Sequence, residues 1–214
     1  MKTSMIITYY YVDDSTVDMT LRCLNSLEFG RPDEVILVND GSKVSKELLE
    51  YPGIRYIQRP ENGGFAACVN TGLDAASNEV IIICNNDIEL SPGWLEAITE
   101  PLTQGYSISS IRTTDQTGYD TEDVTTEGDN FGSIWAMTRT AYELIGKMDE
   151  SLGKGYFEDQ DYKQRALSLG LKIAKNHRVA VEHVGKATFS KIDPEDEHFR
   201  AGMQRYKDKY GRVD

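Results

Sequence analysis

Asn85-Asn86-Asp87 directly follows the apolar run Val80–Cys84 and ends in a carboxylate. A hard divalent cation prefers oxygen ligands, and Mg²⁺ or Mn²⁺ commonly takes only one or two from protein while phosphates and water complete the shell. Asp87 has the chemistry of such an anchor, with Asn85 or Asn86 offering amide contacts to a ribose. Equally, Asn and Asp satisfy backbone groups in tight turns. His183, in Val181-Glu182-His183-Val184-Gly185, carries an imidazole able to act as a second metal ligand, or simply to be hydrogen-bonded structure. Glu158-Asp159-Gln160-Asp161 follows the aromatic pair Tyr156-Phe157. A carboxylate against an aromatic wall is made more basic, which suits a general base that must take a hydroxyl proton. Acids at a helix start also cap it and favour its dipole.

Two further segments carry polar chemistry. Asp40 closes Glu34–Asn39 and precedes Gly41-Ser42; such a carboxylate accepts from a base or ribose hydroxyl, or caps the next helix. Asn62-Gly63-Gly64-Phe65 precedes a helical pattern that includes Asn70 and Gly72. Its glycines permit close backbone approach and the helix start favours an anion, though a tight turn explains the same residues. The Gly-x-x-x-x-Gly-Lys phosphate loop is absent, and the spacing is not the dinucleotide fingerprint.

Positioning these groups requires strands and helices in alternation. Met5–Tyr11 reads as a first strand, with Asp13-Asp14-Ser15 as turn and cap, and Val17, Leu21, Leu24 and Leu27 share one helical face. Glu34–Asn39, Ile54–Ile57 and Val80–Cys84 read as strands, the last apolar throughout as in the centre of a parallel sheet. Ser45–Leu49 and Gly64–Ala76 read as helices, and Pro92 fits the first turn of a helix reaching Leu102. This order implies βαβ units and an open, twisted, mostly parallel sheet, with ligands beyond the carboxyl ends of the strands. The second half is less regular. Thr113–Asp129 reads as an exposed loop or ragged hairpin and Phe131–Thr138 as a strand. Helices are expected at Thr140–Ile145, stopped by Gly146, and at Asp159–Leu169, stopped by Gly170. Ile173–Ala174 and Val179–Val181 read as two short strands, and Glu195–Tyr210 as a charged terminal helix.

The 214 residues, 39% hydrophobic and 27% charged, suit one soluble globular domain. A net charge of −12 argues against a general nucleic-acid surface, which needs clustered Lys and Arg. Binding an anionic diphosphate then calls for a metal and a few local cations. Cys23, Cys68 and Cys84 are odd in number and lie in apolar segments, so buried free thiols are expected. No apolar run is long enough to span a bilayer and no signal-peptide h-region is evident; a cytoplasmic location is expected.

The blocks VNDGS (Val38–Ser42), NGGFAACVNTGL (Asn62–Leu73), CNND (Cys84–Asp87), FGSIWAMTRTAYELIGKMDESL (Phe131–Leu152), YFEDQDYKQRALSLGLKI (Tyr156–Ile173) and EHVGKATF (Glu182–Phe189) occur in an order that resembles the inverting family 2 glycosyltransferases with a GT-A fold. The likeness is strongest to their bacterial rhamnosyl- and galactofuranosyltransferase-like branch and covers nearly the whole chain. It implies a single α/β GT-A domain: a nucleotide-binding half over 1–105, an acceptor and catalytic half over 106–190, and a helical tail over 191–214.

The resemblance also implies roles. Asp40 would hold the base or ribose of a nucleotide-diphosphate sugar. Thr8, Tyr9, Asn62, Gly63, Gly64, Phe65, Asn70, Asn85 and Asn86 would line the donor pocket, and Lys186 would touch the diphosphate, with Thr188 beside it. Asp87 would bind Mn²⁺ or Mg²⁺ from the acidic position of the family's Asp-x-Asp motif, and His183 would complete the metal site. Asp159 would be the catalytic base, supported by Glu158. One departure is plain: Asn85 and Asn86 leave Asp87 as the motif's single carboxylate. Two rivals share the layout. A sugar nucleotidyltransferase would carry a Gly-rich, Arg-bearing loop where Tyr9–Asp14 stands, and a catalytically silent binding module would not need Asp159 and His183. The acceptor has no readable code, and a partner domain supplying its recognition is a further expectation.

Overall fold

Strand β1 (Thr3–Tyr9) lies between two parallel neighbours, β2 (Glu34–Asn39) and β4 (Val80–Asn85), and β3 (Arg55–Gln58) extends the sheet beyond β2. The computed structural model describes residues 1–115, 125–127, 132–184 and 197–211. Among them the sheet continues through β8 (Ile134–Thr138), β6 (Ile108–Thr113), β9 (Ile173–His183) and β5 (Ile88–Glu89), in the order β3-β2-β1-β4-β8-β6-β9-β5, with β7 (Thr125–Glu127) paired to β9. Strands β1, β2, β3, β4, β6 and β9 point one way, while β5, β7 and β8 run against their neighbours. The sheet is therefore mostly parallel, flanked by helices.

Alternation along the central strands feeds two cores. Met5, Ile7, Leu37, Ile82 and Cys84 face α1 (Asp14–Asn25) and α4 (Trp94–Thr103), joining Leu24, Trp94 and Ile98. Ile6, Ile36, Val38, Ile81 and Ile83 face α3 (Phe65–Ala75), α5 (Arg139–Ile145) and α6 (Glu158–Ser168), joining Val69, Leu73, Tyr162 and Ala166. Burying each such side chain stabilises by roughly 1.5–3 kcal/mol, and a one-residue slip would exchange the two faces. Register is thus fixed, and with it the alignment of strand ends: Thr8 stands opposite Val38 and Asn85.

Local signals act as their chemistry dictates. Asp13 caps α1 in a capping box with Thr16, Ser45 caps α2 (Lys46–Leu49), and Gly146 ends α5 at φ 81°. Three expectations need correction. Pro92 does not enter α4: it sits in the turn before it, and Gly93 at φ 81° is the residue that precedes Trp94. Ile173–Ala174 and Val179–Val181 are not separate strands but parts of β9, one run of 11 residues. The intervening Lys175, Asn176 and His177 are polar yet no more than 1% exposed. Thr113–Asp129, expected as an exposed loop or ragged hairpin, instead lends residues to the main sheet, because Thr113 ends β6 and β7 pairs antiparallel with β9; the remainder of that reading, at 116–124 and 128–129, falls outside the described residues, as does Phe131 of the strand expected at Phe131–Thr138. The terminal helix, α7, runs Glu197–Tyr210. No helix among the described residues is long and apolar enough to cross a membrane.

Candidate functional site

At the carboxyl end of β4 the chain turns through Asn86-Asp87 into the short β5, which pairs with the end of β9 so that Ile88 stands opposite His183. The Val184 amide donates to the Asp87 carbonyl at 3.1 Å. This pairing carries Asp87 and His183, far apart in sequence, into one corner: Asp87 Oδ2 lies 3.4 Å from His183 Nε2. The other ring nitrogen, Nδ1, is 2.9 Å from Asp115 Oδ2, and Ser133 Oγ lies 3.0 Å from Nε2. Asp87 is 7% exposed, and its Oδ1 is buried and accepts no hydrogen bond. Burial alone would lower the His183 pKa, but Asp87 and Asp115 outweigh it and hold the imidazole above its usual value.

A buried carboxylate with one oxygen beside a ring nitrogen and the other without a donor is an arrangement that a cation resolves. Asp115 fixes the orientation of His183 through Nδ1, the arrangement by which outer carboxylates commonly orient histidines in metal sites. Among the described residues there is no group of three or more His, Cys, Asp and Glu able to hold a metal. Among the described residues this corner brings together two groups of metal-ligating type, and Mn²⁺ or Mg²⁺ commonly takes one or two from protein when phosphates complete its shell. Asp115 went unread in the sequence because only the parallel register of β6 and β9, with the Thr114 amide on the Val181 carbonyl at 2.9 Å, brings it to His183.

The second cluster gathers the ends of β2 and β3. Asp40, 5% exposed, accepts from the amides of Gly63 at 3.1 Å and Gly64 at 2.8 Å and is ion-paired with Arg59. Its carboxylate thus holds the Asn62–Gly64 loop in place. Arg59, partly buried, is the cation paired with Asp40 here, and nothing in its sequence context marked it. Asn62 Oδ1 is buried with no partner. Thr8 and the partly exposed Asn85 lie side by side at their strand ends. The other residues expected to line a donor pocket are differently engaged. Both amide hydrogens of Asn70 go to Met148 O and Glu150 Oε1, at 3.0 and 2.8 Å, tying α3 to the segment before α6. Asn86 donates to Thr20 Oγ1 at 2.8 Å. The Tyr9 ring is in the core, 1% exposed, with its hydroxyl unpartnered. Lys186 and Thr188 fall outside the described residues.

The third cluster opens α6. Tyr156 and Phe157 both adopt left-handed backbone, φ 71° and 70°, a conformation that costs a non-glycine residue of order 1 kcal/mol or more. Glu158 and Asp159 follow at once. The Phe65 amide donates to the Lys154 carbonyl at 3.1 Å, so the loop held by Asp40 and the approach to α6 are neighbours. No hydrogen bond or ion pair among the described residues joins Asp159 to Asp87 or His183. Burial raises both carboxyls: Asp159 is displaced upward against the hydrogen bond it accepts from the Gln160 amide at 2.8 Å. Glu158, buried and next to the Asp159 charge, is pushed up to about 8.

The sign of that displacement gives a testable consequence. A carboxyl whose folded-state value is raised favours the fold at acid pH and loses that advantage as pH climbs from the ordinary glutamate range to about 8. Glu158→Gln should therefore match the parent's thermal midpoint near pH ~5 and exceed it near pH ~9, by an amount on the scale of ~1.4 kcal/mol per pH unit of displacement. Parallel pH profiles for the two proteins would show that Glu158 ionises normally.

The family model for glycosyl transferase family 2 matches residues 4–154. The chain belongs to that family. Its relatives include the human Probable polypeptide N-acetylgalactosaminyltransferase 8, 31% identical over 100 residues, 41% of this chain and 16% of that protein. Among solved structures, GalNAc-T7 with UDP, GalNAc and Mn²⁺ superposes with a TM-score of 0.74 at 15% identity, covering 86% of this chain and 44% of that one. The mannosyltransferase PcManGT from Pyrobaculum calidifontis, in complex with GDP-Man and Mn²⁺, gives 0.67 at 15% identity, covering 100% and 66%. These likenesses establish the fold of the chain, which spans only part of each of these proteins.

Proposed function

We propose that the protein is an inverting, metal-dependent glycosyltransferase that moves a sugar from a nucleotide-diphosphate donor to an acceptor hydroxyl. The observation that carries this reading is the Asp87–His183 corner, where Asp87 sets Oδ2 against the imidazole and leaves its other, buried oxygen Oδ1 without a donor, in a family 2 fold. Asp87 and His183 would hold Mn²⁺ or Mg²⁺. A bound cation of that kind neutralises charge gathering on the departing diphosphate. The Asn62–Gly64 loop, fixed by Asp40 and Arg59, offers Asn62 Oδ1 and backbone to the nucleotide, with Thr8 and Asn85 at the neighbouring strand ends. The ordering of motifs favours the rhamnosyl-/galactofuranosyltransferase-like branch within the family.

Asp159 serves as the general base. Its raised affinity for a proton suits removal of the acceptor hydroxyl's proton as the oxygen attacks the anomeric carbon in line, through an oxocarbenium-like state of the kind known from glycoside chemistry. Glu158, largely protonated near neutral pH given a value of about 8, does not compete for that role and lowers the local negative charge.

The test is nucleotide binding with and without metal. Titration of UDP and GDP in the presence of Mn²⁺ should show that Asp87→Ala weakens binding by more than about tenfold, the least that losing an inner ligand costs when outer-shell losses already cost that much. In EDTA the parent and the variant should coincide. Identical titrations with Mn²⁺ would remove Asp87 from the site.

A further inference from the structure

The terminal helix α7 contacts the opening of α6 at every level of its surface. Phe199 meets the Tyr156 ring edge-on at 5.2 Å between centroids and the Phe157 ring at 5.3 Å; Tyr206 adds a second contact to Phe157 at 5.5 Å. Gly202 lies beneath the turn, where a Cβ would stand 3.2 Å from the Tyr156 carbonyl oxygen and 3.3 Å from Phe157 Cδ2. Arg205 donates to the Leu152 carbonyl at 3.1 Å. At the far end, Lys209 bridges Asp149 and the fully buried Asp161, both at 2.6 Å, and the Tyr210 hydroxyl donates to Asp161 at 2.7 Å. Asp161 also accepts from Arg165 Nε at 2.8 Å. Every α7 member of this set meets residues 149–161, and three of them, Phe199, Gly202 and Tyr206, meet the left-handed pair that immediately precedes Glu158 and Asp159.

Left-handed backbone at two successive aromatic residues persists only where the surroundings over-determine it. The surroundings here are α7: aromatic packing from one side, a glycine that admits the Tyr156 carbonyl, and a cation that neutralises the carboxylate one turn into α6. We infer that α7 is a positioning element for the catalytic base, holding the Tyr156–Phe157 turn so that Asp159 is presented at a fixed angle. This rests on the reading of Asp159 given above. Phe199, Gly202, Tyr206 and Lys209 act through that turn and touch no reacting atom.

Two substitutions separate positioning from mere stability. Gly202→Ala introduces a better helix former, worth about 1 kcal/mol in a helix interior, while pushing the turn by a few tenths of an ångström. Lys209→Met removes the bridge and keeps the stem. Each should slow turnover of UDP- and GDP-linked hexoses with Mn²⁺ by about tenfold, since small misplacements of reacting groups are costly, while the donor KM and the Mn²⁺-dependent affinity for UDP and GDP stay at parent values. Amide exchange across 155–162 should accelerate by at least about fivefold in Lys209→Met as the turn opens more often. Exchange at the parent's rate in both variants, or unchanged kcat in both, overturns the inference. If the parent itself turns over no donor, the transferase reading fails, and the exchange measurement alone then decides whether α7 braces the turn.

Discussion

Asp159→Asn is expected to reduce sugar transfer by roughly 10²–10⁴-fold, the range a positioned general base contributes, and to leave Mn²⁺-dependent nucleotide binding near the parent's. Asparagine keeps a side-chain oxygen for the Gln160 amide, which now donates to Asp159 Oδ1 at 2.8 Å, so that contact in the first turn of α6 is retained. What asparagine loses is the ability to take a proton. In the parent, burial and the Asp159 charge push the Glu158 carboxyl up to about 8; with that charge removed burial still raises it, so Glu158 remains a poorer match to the role. Single-turnover transfer paired with nucleotide titration on one preparation decides the point. Turnover within a few-fold of the parent, on the scale of that contribution, would exclude Asp159 as the base.

Gly64→Ala should have a large effect on folding. Gly64 sits at φ 85°, ψ −179°, a region that is essentially glycine's alone. An added Cβ would lie 2.4 Å from Lys154 Cα and 2.7 Å from its carbonyl oxygen. Both are backbone atoms, so no side chain can swing aside. The chain must move, and the contacts it would surrender are the Gly64 amide on Asp40 and the Phe65 amide on Lys154. Strain and overpacking together should cost roughly 3 kcal/mol or more, a fall of about 6–12 °C in thermal midpoint for a domain of this size. Calorimetry that finds the midpoint unmoved would mean that the loop and the approach to α6 are not packed as described.

The first half of the fold was legible because pattern and environment agree there. Glu34–Asn39 and Val80–Cys84 are apolar runs and are buried on both faces; Ser45 and Asp13 cap the helices they precede. β9 was misread where they disagree: Lys175, Asn176 and His177 look like a solvated break but lie inside the sheet. The candidate site divides along the same line. Asp87 and His183 could be paired from motif order, and the β5–β9 ladder joins them. Asn70 carried the right residue type but proved to be a tie to Met148 and Glu150. Asp115 and Arg59 carry no local signature at all. Their positions depend on inter-strand register and on a loop folding back on its own strand, neither of which leaves a mark in the neighbouring residues.

The saturation of Asp40 has a thermodynamic consequence. Because Arg59 and two loop amides already engage its oxygens, the Asn62–Gly64 segment is ordered before any nucleotide arrives. An incoming ligand then loses little affinity to freezing loop conformations, and its recognition resembles docking onto a finished surface more than coupled folding. If the proposed nucleotide site is here, selectivity at this wall would come from shape and from the unmet Asn62 oxygen, with small heat-capacity change beyond the ligand's own desolvation.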